Sequence, residues 1–475
     1  MVIGAGMAGV MAAIRLKEAG FRDVTVYEKA DRIGGTWREN TYPGVACDVP
    51  SHLYSYSFAP NPEWSHVFSP GPEIRDYLEA VARRFDVERC ISFGTEVERL
   101  EFAGGRWRVE TTAGPDVADV VVAATGVLHH PRYPDIDGLD TFGGPVFHSA
   151  RWDHTVALEG RRLGLVGTGS SAVQITAALV DVVGELALFQ RTPQWVLSVP
   201  NPPIEATERA RFAADPAALR ALREELSRGF ADNFANVVVD ADSEGLALIE
   251  ELCRANLEEG VRDPELRERL RPDYRAACKR LVISPNFYEA IQAPHARLVT
   301  DRIAAVEAEG VRTVDGRLHA LDVVVLATGF RVDRFLRPIE VVGEGGRSLE
   351  TAWAQRPSAY LSVSVPGFPN LFLLNGPNGP VGNFSLIEVA ELQFDYVLQL
   401  VALLAEGRCA KVCASAEAAE RFEAARVEAA QRTVWVTGCR SWYLDDRGVP
   451  AAWPWTFDRF RQEMAAPRLD DFELA

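Results

Sequence analysis

The sequence predicts an α/β fold of two dinucleotide-binding, Rossmann-like domains, the second inserted in the first, with a helical insertion in the second. Three observations predict it. Two glycine fingerprints each follow an apolar strand and open a helix. Two apolar strands end in the same Ala-Thr-Gly, Val120-Val121-Val122-Ala123-Ala124-Thr125-Gly126 and Val323-Val324-Val325-Leu326-Ala327-Thr328-Gly329, as crossing points between two domains would. A long stretch between them turns to Ala, Glu, Arg and Leu at helical spacing.

Met1-Val2-Ile3 runs into Gly4-Ala5-Gly6-Met7-Ala8-Gly9, then an Ala/Leu-rich helix, then the strand Val24-Thr25-Val26-Tyr27 ending on Glu28, which is a βαβ unit. The first strand is short against the usual five or six residues, as in a chain trimmed at its start. The second unit runs from Leu163-Gly164-Leu165-Val166 through Gly167-Thr168-Gly169-Ser170-Ser171-Ala172 and a helix to Leu186-Ala187-Leu188-Phe189. Leu219, Leu222 and Leu226, and later Leu248, Ile249 and Leu252, mark the helical insertion. The expected division is a first domain over 1–152 and 329–475, a second over 153–201 and 275–328, and a helical subdomain over 202–274.

The chain has 475 residues, 47% of them hydrophobic and 25% charged, which suits a folded protein of several domains. A net charge of -17 argues against binding nucleic acid or an anionic membrane surface, because its field repels phosphate. The apolar runs are too short to span a membrane. The seven cysteines are odd in number and none forms a CxxC, so a reducing cytoplasm fits best, and Cys409 and Cys413 read as two packed thiols. No HExxH, EF-hand or Ser/His/Asp pattern points to a metal or hydrolase site.

In the first unit, Gly4, Gly6 and Gly9 allow a tight turn and close approach of a pyrophosphate to the helix N-terminus. Glu28, a little over twenty residues on, can accept from ribose hydroxyls, so this site is expected to hold FAD. The second unit, with Gly167, Gly169, Ser170 and Ser171, ends not on an acid but on Phe189-Gln190-Arg191-Thr192-Pro193. A cation and a hydroxyl there suit a ribose 2′-phosphate, which favours NADPH over NADH; a solvated surface arginine is the plainer alternative. Two such sites narrow the field to flavin-plus-nicotinamide enzymes. Disulfide reductases would need a cysteine pair beside the flavin, and Cys47 stands alone.

Phe142-Gly143-Gly144-Pro145-Val146-Phe147-His148-Ser149-Ala150-Arg151-Trp152-Asp153 fills every fixed position of the FxGxxxHxxxW[PD] fingerprint. Gly34-Gly35-Thr36-Trp37, Tyr42-Pro43-Gly44 and Asp48 complete a second pattern, [AG]GxWxxxx[FY]P[GM]xxxD. On these motifs the chain resembles the type I Baeyer-Villiger monooxygenases, a family of class B flavoprotein monooxygenases, from its first residues to Cys439-Arg440-Ser441-Trp442-Tyr443. The resemblance implies an FAD-dependent, NADPH-consuming enzyme that inserts one atom of O2 beside a ketone carbonyl through a C4a-peroxyflavin, giving an ester or lactone.

It also implies roles for single residues. Arg280 resembles the family's catalytic arginine and Asp48 the carboxylate that positions it, although Asp48 could be a plain loop cap. The chemistry asks for such a pair independently, because charge building on oxygen during carbonyl attack needs a cation that never loses its proton. Lys279 resembles a second contact to the NADP 2′-phosphate, opposite Arg191 and Thr192. Gly35, Thr36, Trp37, Asp48 and Tyr54 fall where the family lines its flavin, Trp442 resembles a tryptophan that orders NADP on a mobile loop, and His148 a residue at the domain join. After Arg280 the chain departs from the best-known members with Leu281-Val282-Ile283-Ser284-Pro285-Asn286-Phe287-Tyr288, and again in the loop Gly376-Pro377-Asn378-Gly379-Pro380-Val381-Gly382-Asn383-Phe384-Ser385, which leaves the ketone open. Two other readings stand beside this one: oxidation of sulfide or amine heteroatoms, and NADPH oxidation without oxygenation.

Overall fold

The computed structural model describes residues 1–475 except 381 and 383, so Val381 and Asn383 of the divergent late loop lie outside the described residues. Two five-stranded parallel sheets organise the chain. The strands are β1 (Val2–Ile3), β2 (Val26–Tyr27), β3 (Ile91–Ser92), β4 (Val121–Ala123), β5 (Val146–His148), β6 (Arg162–Val166), β7 (Glu185–Phe189), β8 (Ala296–Val299), β9 (Val323–Leu326) and β10 (Leu371–Leu373). The first sheet has the order β10-β4-β1-β2-β3 and the second β8-β7-β6-β9-β5. In each, the strand before the glycine turn lies between the next strand of its βαβ unit and the Ala-Thr-Gly strand. That is where strand order reverses and where such sheets leave a crevice at their carboxyl ends.

Parallel strands covered by helices on both faces need continuous apolar runs, and β9, Val-Val-Val-Leu, is buried at every residue. Helix α1 (Met7–Glu18) buries Ala8, Gly9, Val10, Met11, Ala12, Ala13, Ile14 and Leu16. Its small residues bring its axis close to the first sheet, while Arg15 and Lys17 complement the dipole of its last turn. Helix α2 (Thr36–Glu39) follows, and helix α3 (Ser170–Leu179) repeats α1's place in the second sheet. Even the short β1 is held by both neighbours, pairing Val2 with Val26 and Val122, and Ile3 with Tyr27 and Ala123.

Beyond their Ala-Thr-Gly glycines the two crossing segments run side by side, with Arg132 N donating to Gly329 O at 2.8 Å and Arg331 N to His130 O at 2.9 Å. One assignment is corrected here. The strand Val146–His148, grouped by sequence with the first domain, pairs with β9 in the second sheet, because the chain has already crossed by that point. Helix α4 (Pro216–Phe230) buries Leu219, and α5 (Glu244–Gly260) turns Leu246, Ile249, Cys253 and Leu257 inward and leaves Leu248 and Leu252 exposed. Both leucines lie on the opposite side of a 3.6-residue repeat from the stripe that packs. Among the described residues, no helix is long and apolar enough to cross a membrane.

Candidate active site

The first glycine turn is a backbone device. Gly4 ends β1 at φ +100°, and Gly9 presses so close that a Cβ on it would lie 1.8 Å from the Gly4 carbonyl oxygen. Gly6 caps α1 without any side-chain hydrogen bond, which leaves the helix's first N–H groups for a ligand. Gly35 closes the other side, near enough that a Cβ on it would lie 3.0 Å from the Cα of Gly6. Glu28 is buried and accepts from Ala5 N at 2.8 Å and Ala30 N at 3.0 Å, so its carboxylate is held against the glycine turn. Uncapped N–H groups at the positive end of a helix, with a fixed acid beside them, fit the pyrophosphate and ribose of FAD.

A charge relay that no motif announced ties this turn to the fingerprint segment. Arg38 donates to Glu28 at 3.1 Å and to Glu39 at 2.6 Å, and Glu39 also accepts from Arg151. Arg38 is 9% exposed and its two carboxylates 6% and 13%, so the pairs are shielded from water. Arg38→Ala removes the one cation paired with Glu28 among the described residues and leaves Glu39 to Arg151 alone. We expect a loss of about 3 kcal/mol of stability, typical of removing one partner from a buried pair. Denaturant unfolding and flavin content would measure it, and an unchanged midpoint would show that water already screens the relay.

The loop after α2 binds the two sheets together. A Cβ on Gly44 would lie 2.8 Å from the carbonyl oxygen of Gln174 on α3, so only glycine permits this approach. Tyr42 Oη donates to Gln174 Oε1 at 2.8 Å and accepts from Ser171 Oγ at 3.2 Å, while Gln174 Nε2 donates to Ala46 O at 3.1 Å. Burial pushes the Tyr42 phenol up to about 12, so it stays protonated as a donor. Thr36 opens α2, and the buried Trp37 donates from Nε1 to Tyr54 Oη at 3.3 Å with the rings edge to face. Burial raises the Tyr54 pKa as well.

That loop ends at Asp48, which accepts a hydrogen bond from Arg280, 232 residues away. Both side chains keep about a quarter of their surface accessible, 27% for Arg280 and 26% for Asp48, so the pair borders a space and is not sealed in core. Burial works against the Arg280 charge, but Asp48, together with Tyr443 and Cys47, outweighs it and the guanidinium pKa rises. The result is a permanent cation aimed by a carboxylate.

In the second unit Gly167 takes φ +119°, and Gly169 caps α3 with no side-chain bond and open space where a Cβ would stand. Ser170 and Ser171 open the helix, and Thr168 Oγ1 donates to Thr192 O at 2.7 Å, fixing the strand-end segment that carries Arg191. Arg191 is exposed. Lys279 lies 4.5 Å from the centre of the Tyr274 ring, and its pKa is lowered by burial and, against a raising effect of Asp273, by the charge of Arg191. Two cations close enough to repel, neither in an ion pair among the described residues, fit a phosphate, and the uncapped α3 fits the pyrophosphate of NADPH.

Trp442 stands 40% exposed, its ring 4.1 Å from Tyr443. Its neighbour Tyr443 is buried, stacked on Trp435, and within electrostatic reach of both Arg280 and Asp48. Sequence reasoning missed it, although an aromatic next to a tryptophan assigned to the coenzyme was a usable signal. Arg38, Glu39 and Gln174 carried none, since each looks like a surface residue of its helix. His148 ends β5 fully buried between Tyr133 and Phe330 of the crossing segments, and burial lowers its pKa to about 4, so it is a neutral packing residue at that join. Trp152 meets Phe147 edge to face at 5.1 Å.

Residues 1–214 match a family model described as pyridine nucleotide-disulphide oxidoreductase. Cys47, however, is a free buried thiol, so the disulfide chemistry in that description has no cysteine pair beside the first turn. An uncharacterized monooxygenase of Mycobacterium tuberculosis is 46% identical over all of this chain and 95% of its own length. A Baeyer-Villiger monooxygenase of Streptomyces coelicolor is 42% identical over all of this chain and 92% of its own. The crystal structure of cyclohexanone monooxygenase from Rhodococcus sp. Phi1 bound to NADP+ superposes with a TM-score of 0.89 at 31% identity, covering 100% of this chain and 98% of that one. With both dinucleotide sites and the full-length likeness in agreement, the chain belongs to the Baeyer-Villiger monooxygenase family and is an FAD- and NADPH-dependent monooxygenase.

Proposed function

We propose that the chain converts a ketone to an ester or lactone in the cytoplasm, as a monomer or homodimer, with Arg280 and Asp48 as its catalytic pair. The observation that carries the residue assignment is the Arg280–Asp48 contact, which joins the flavin-side loop to the segment that also bears Lys279. FAD, when bound, supplies the redox chemistry that takes a hydride from NADPH and activates O2. The chain's own residues do the rest. Gly6, Gly35 and the start of α1 bind the pyrophosphate, with Glu28 on the ribose. Arg191, Thr192 and Lys279 hold the 2′-phosphate and so select NADPH. Arg280 faces the oxygen on which negative charge builds during carbonyl attack, and Asp48 keeps the guanidinium from swinging away. Trp37 and Tyr54 exclude water from the flavin side. Five of the seven cysteines are free thiols, in keeping with a cytoplasmic setting.

The test is turnover of the flavin-loaded enzyme with NADPH, O2 and a panel of cyclic, linear and aryl ketones. We expect one ester or lactone per NADPH for at least one class. Efficient sulfoxidation with every ketone inert would replace this reading with heteroatom oxidation, and stoichiometric hydrogen peroxide with no oxygenated product would replace it with a reductase.

A further inference from the structure

The odd cysteine count and a reducing setting gave no reason to expect a disulfide, yet the structure pairs Cys278 with Cys439 across 161 residues, with Cα atoms 6.1 Å apart. The position of the bond matters more than its presence. Cys278 immediately precedes Lys279 and Arg280, and Cys439 lies three residues before Trp442 and four before Tyr443. Both cysteines are buried in one apolar cluster. It gathers Ala276, Ala277 and Leu281 from the first segment, Trp435 and Tyr443 from the second, and Leu246 and Ile249 from the helical insertion. Gly438, at φ +109° with open space around it, precedes Cys439 and supplies a pivot. At the other end Tyr443 packs so tightly on Gly382 that a Cβ there would lie 2.1 Å from the phenolic oxygen. A bond between these cysteines therefore couples the backbone next to Arg280 to the loop that carries Trp442 and Tyr443.

We propose that Cys278 and Cys439 form a reversible thiol–disulfide latch that holds the 439–443 loop shut on the bound coenzyme. This rests on the reading that Lys279 and this loop face NADP(H). The oxidant is hydrogen peroxide, the product whenever NADPH oxidation fails to deliver oxygen to a substrate. One thiol sulfur attacks the peroxide O–O bond, becoming a sulfenic acid and releasing water; the second thiol displaces that hydroxyl as a second water and forms the S–S bond. Two thiols and one H2O2 thus give one disulfide and two waters. A dithiol reductant reverses the reaction by two exchanges, returning both protons and both electrons. The latch makes leakage self-limiting: peroxide closes the loop, which retains NADP+ and shields the flavin site.

The experiment compares wild-type holoenzyme treated with hydrogen peroxide or with dithiothreitol. Differential alkylation and mass spectrometry read the state of each cysteine, and stopped-flow displacement reads the NADP+ dissociation rate. We expect the oxidised form to release NADP+ about ten-fold more slowly than the reduced form and to bind it about ten-fold more tightly, a coupling of ordinary size, so that saturating NADP+ raises the disulfide-to-dithiol ratio by the same factor in a thiol–disulfide buffer. Cys278→Ser and Cys439→Ser should release at the reduced rate under both treatments. Cysteines that remain alkylatable after peroxide, or equal release rates in the two wild-type forms, would overturn the latch, whether or not either variant folds. Lys279→Ala separates this from the reading beneath it. If that variant speeds NADP+ release while the redox state does not, the latch alone fails; if neither changes release, the coenzyme reading fails with it.

Discussion

Replacement of Arg280 by alanine is expected to abolish ester formation while NADPH consumption continues, the electrons leaving as hydrogen peroxide. Among the described residues no hydrogen bond or ion pair joins the guanidinium to the glycine turns or to the strand end that carries Arg191, so binding of both dinucleotides should survive its loss. On the role proposed for it, what is lost is the positive charge facing oxygen during carbonyl attack, an effect worth roughly 10²–10³ in rate when one preorganised donor is removed. Asp48 is then left without its partner beside the same space, and its negative charge opposes the reaction further. Arg280→Lys should recover only a part, because an ammonium is a flexible point charge and this site rewards a rigid fork. Product analysis alongside a peroxide assay distinguishes the outcomes. Ester formation by Arg280→Ala at the parent rate would place the reacting oxygen elsewhere.

The second large effect concerns the coenzyme. Joint replacement of Arg191 and Lys279 by alanine should lower kcat/KM for NADPH by roughly 10²–10⁴, since hydrogen bonds to charged groups contribute about 1.5–3 kcal/mol each. NADH, without the 2′-phosphate, should be nearly unaffected. A pH signature accompanies the change. The Lys279 pKa is lowered by burial and by Arg191, so this lysine loses its proton at a lower pH than an ordinary lysine. NADPH affinity should therefore fall as pH rises toward that depressed pKa, and bound phosphate, by stabilising the ammonium, should push the fall to higher pH. Lys279→Arg should erase this alkaline limb, because arginine does not titrate there. Measuring the KM for NADPH against pH, with NADH as control, checks the sign. An unchanged coenzyme preference in the double variant would mean that other groups read the phosphate.

Which parts of the site were legible in the sequence follows from how each part is encoded. The glycine turns were legible because backbone contact leaves no alternative at Gly4 and Gly9, and glycine is the one residue that fits. The Arg280–Asp48 pair was legible only through resemblance, since nothing in spacing relates two residues 232 positions apart. The Arg38–Glu39–Arg151 relay, the Tyr42–Gln174 bridge and the place of Tyr443 were not legible, because each joins side chains from elements distant in sequence. Hydrophobic spacing at Leu248 and Leu252 locates a helix, but which stripe is buried depends on what packs against it, and both leucines are exposed.

By itself, then, the sequence determined the two dinucleotide-binding units, their cofactor classes and the family, because these rest on local backbone chemistry and contiguous motifs. The tertiary structure alone decided that β5 joins the second sheet, that Tyr443 lies within electrostatic reach of the arginine, and that Cys278 meets Cys439. Those contacts arise only when the crossing segments and the C-terminal loop pack against the two sheets, and no local pattern records which distant side chains that packing brings together.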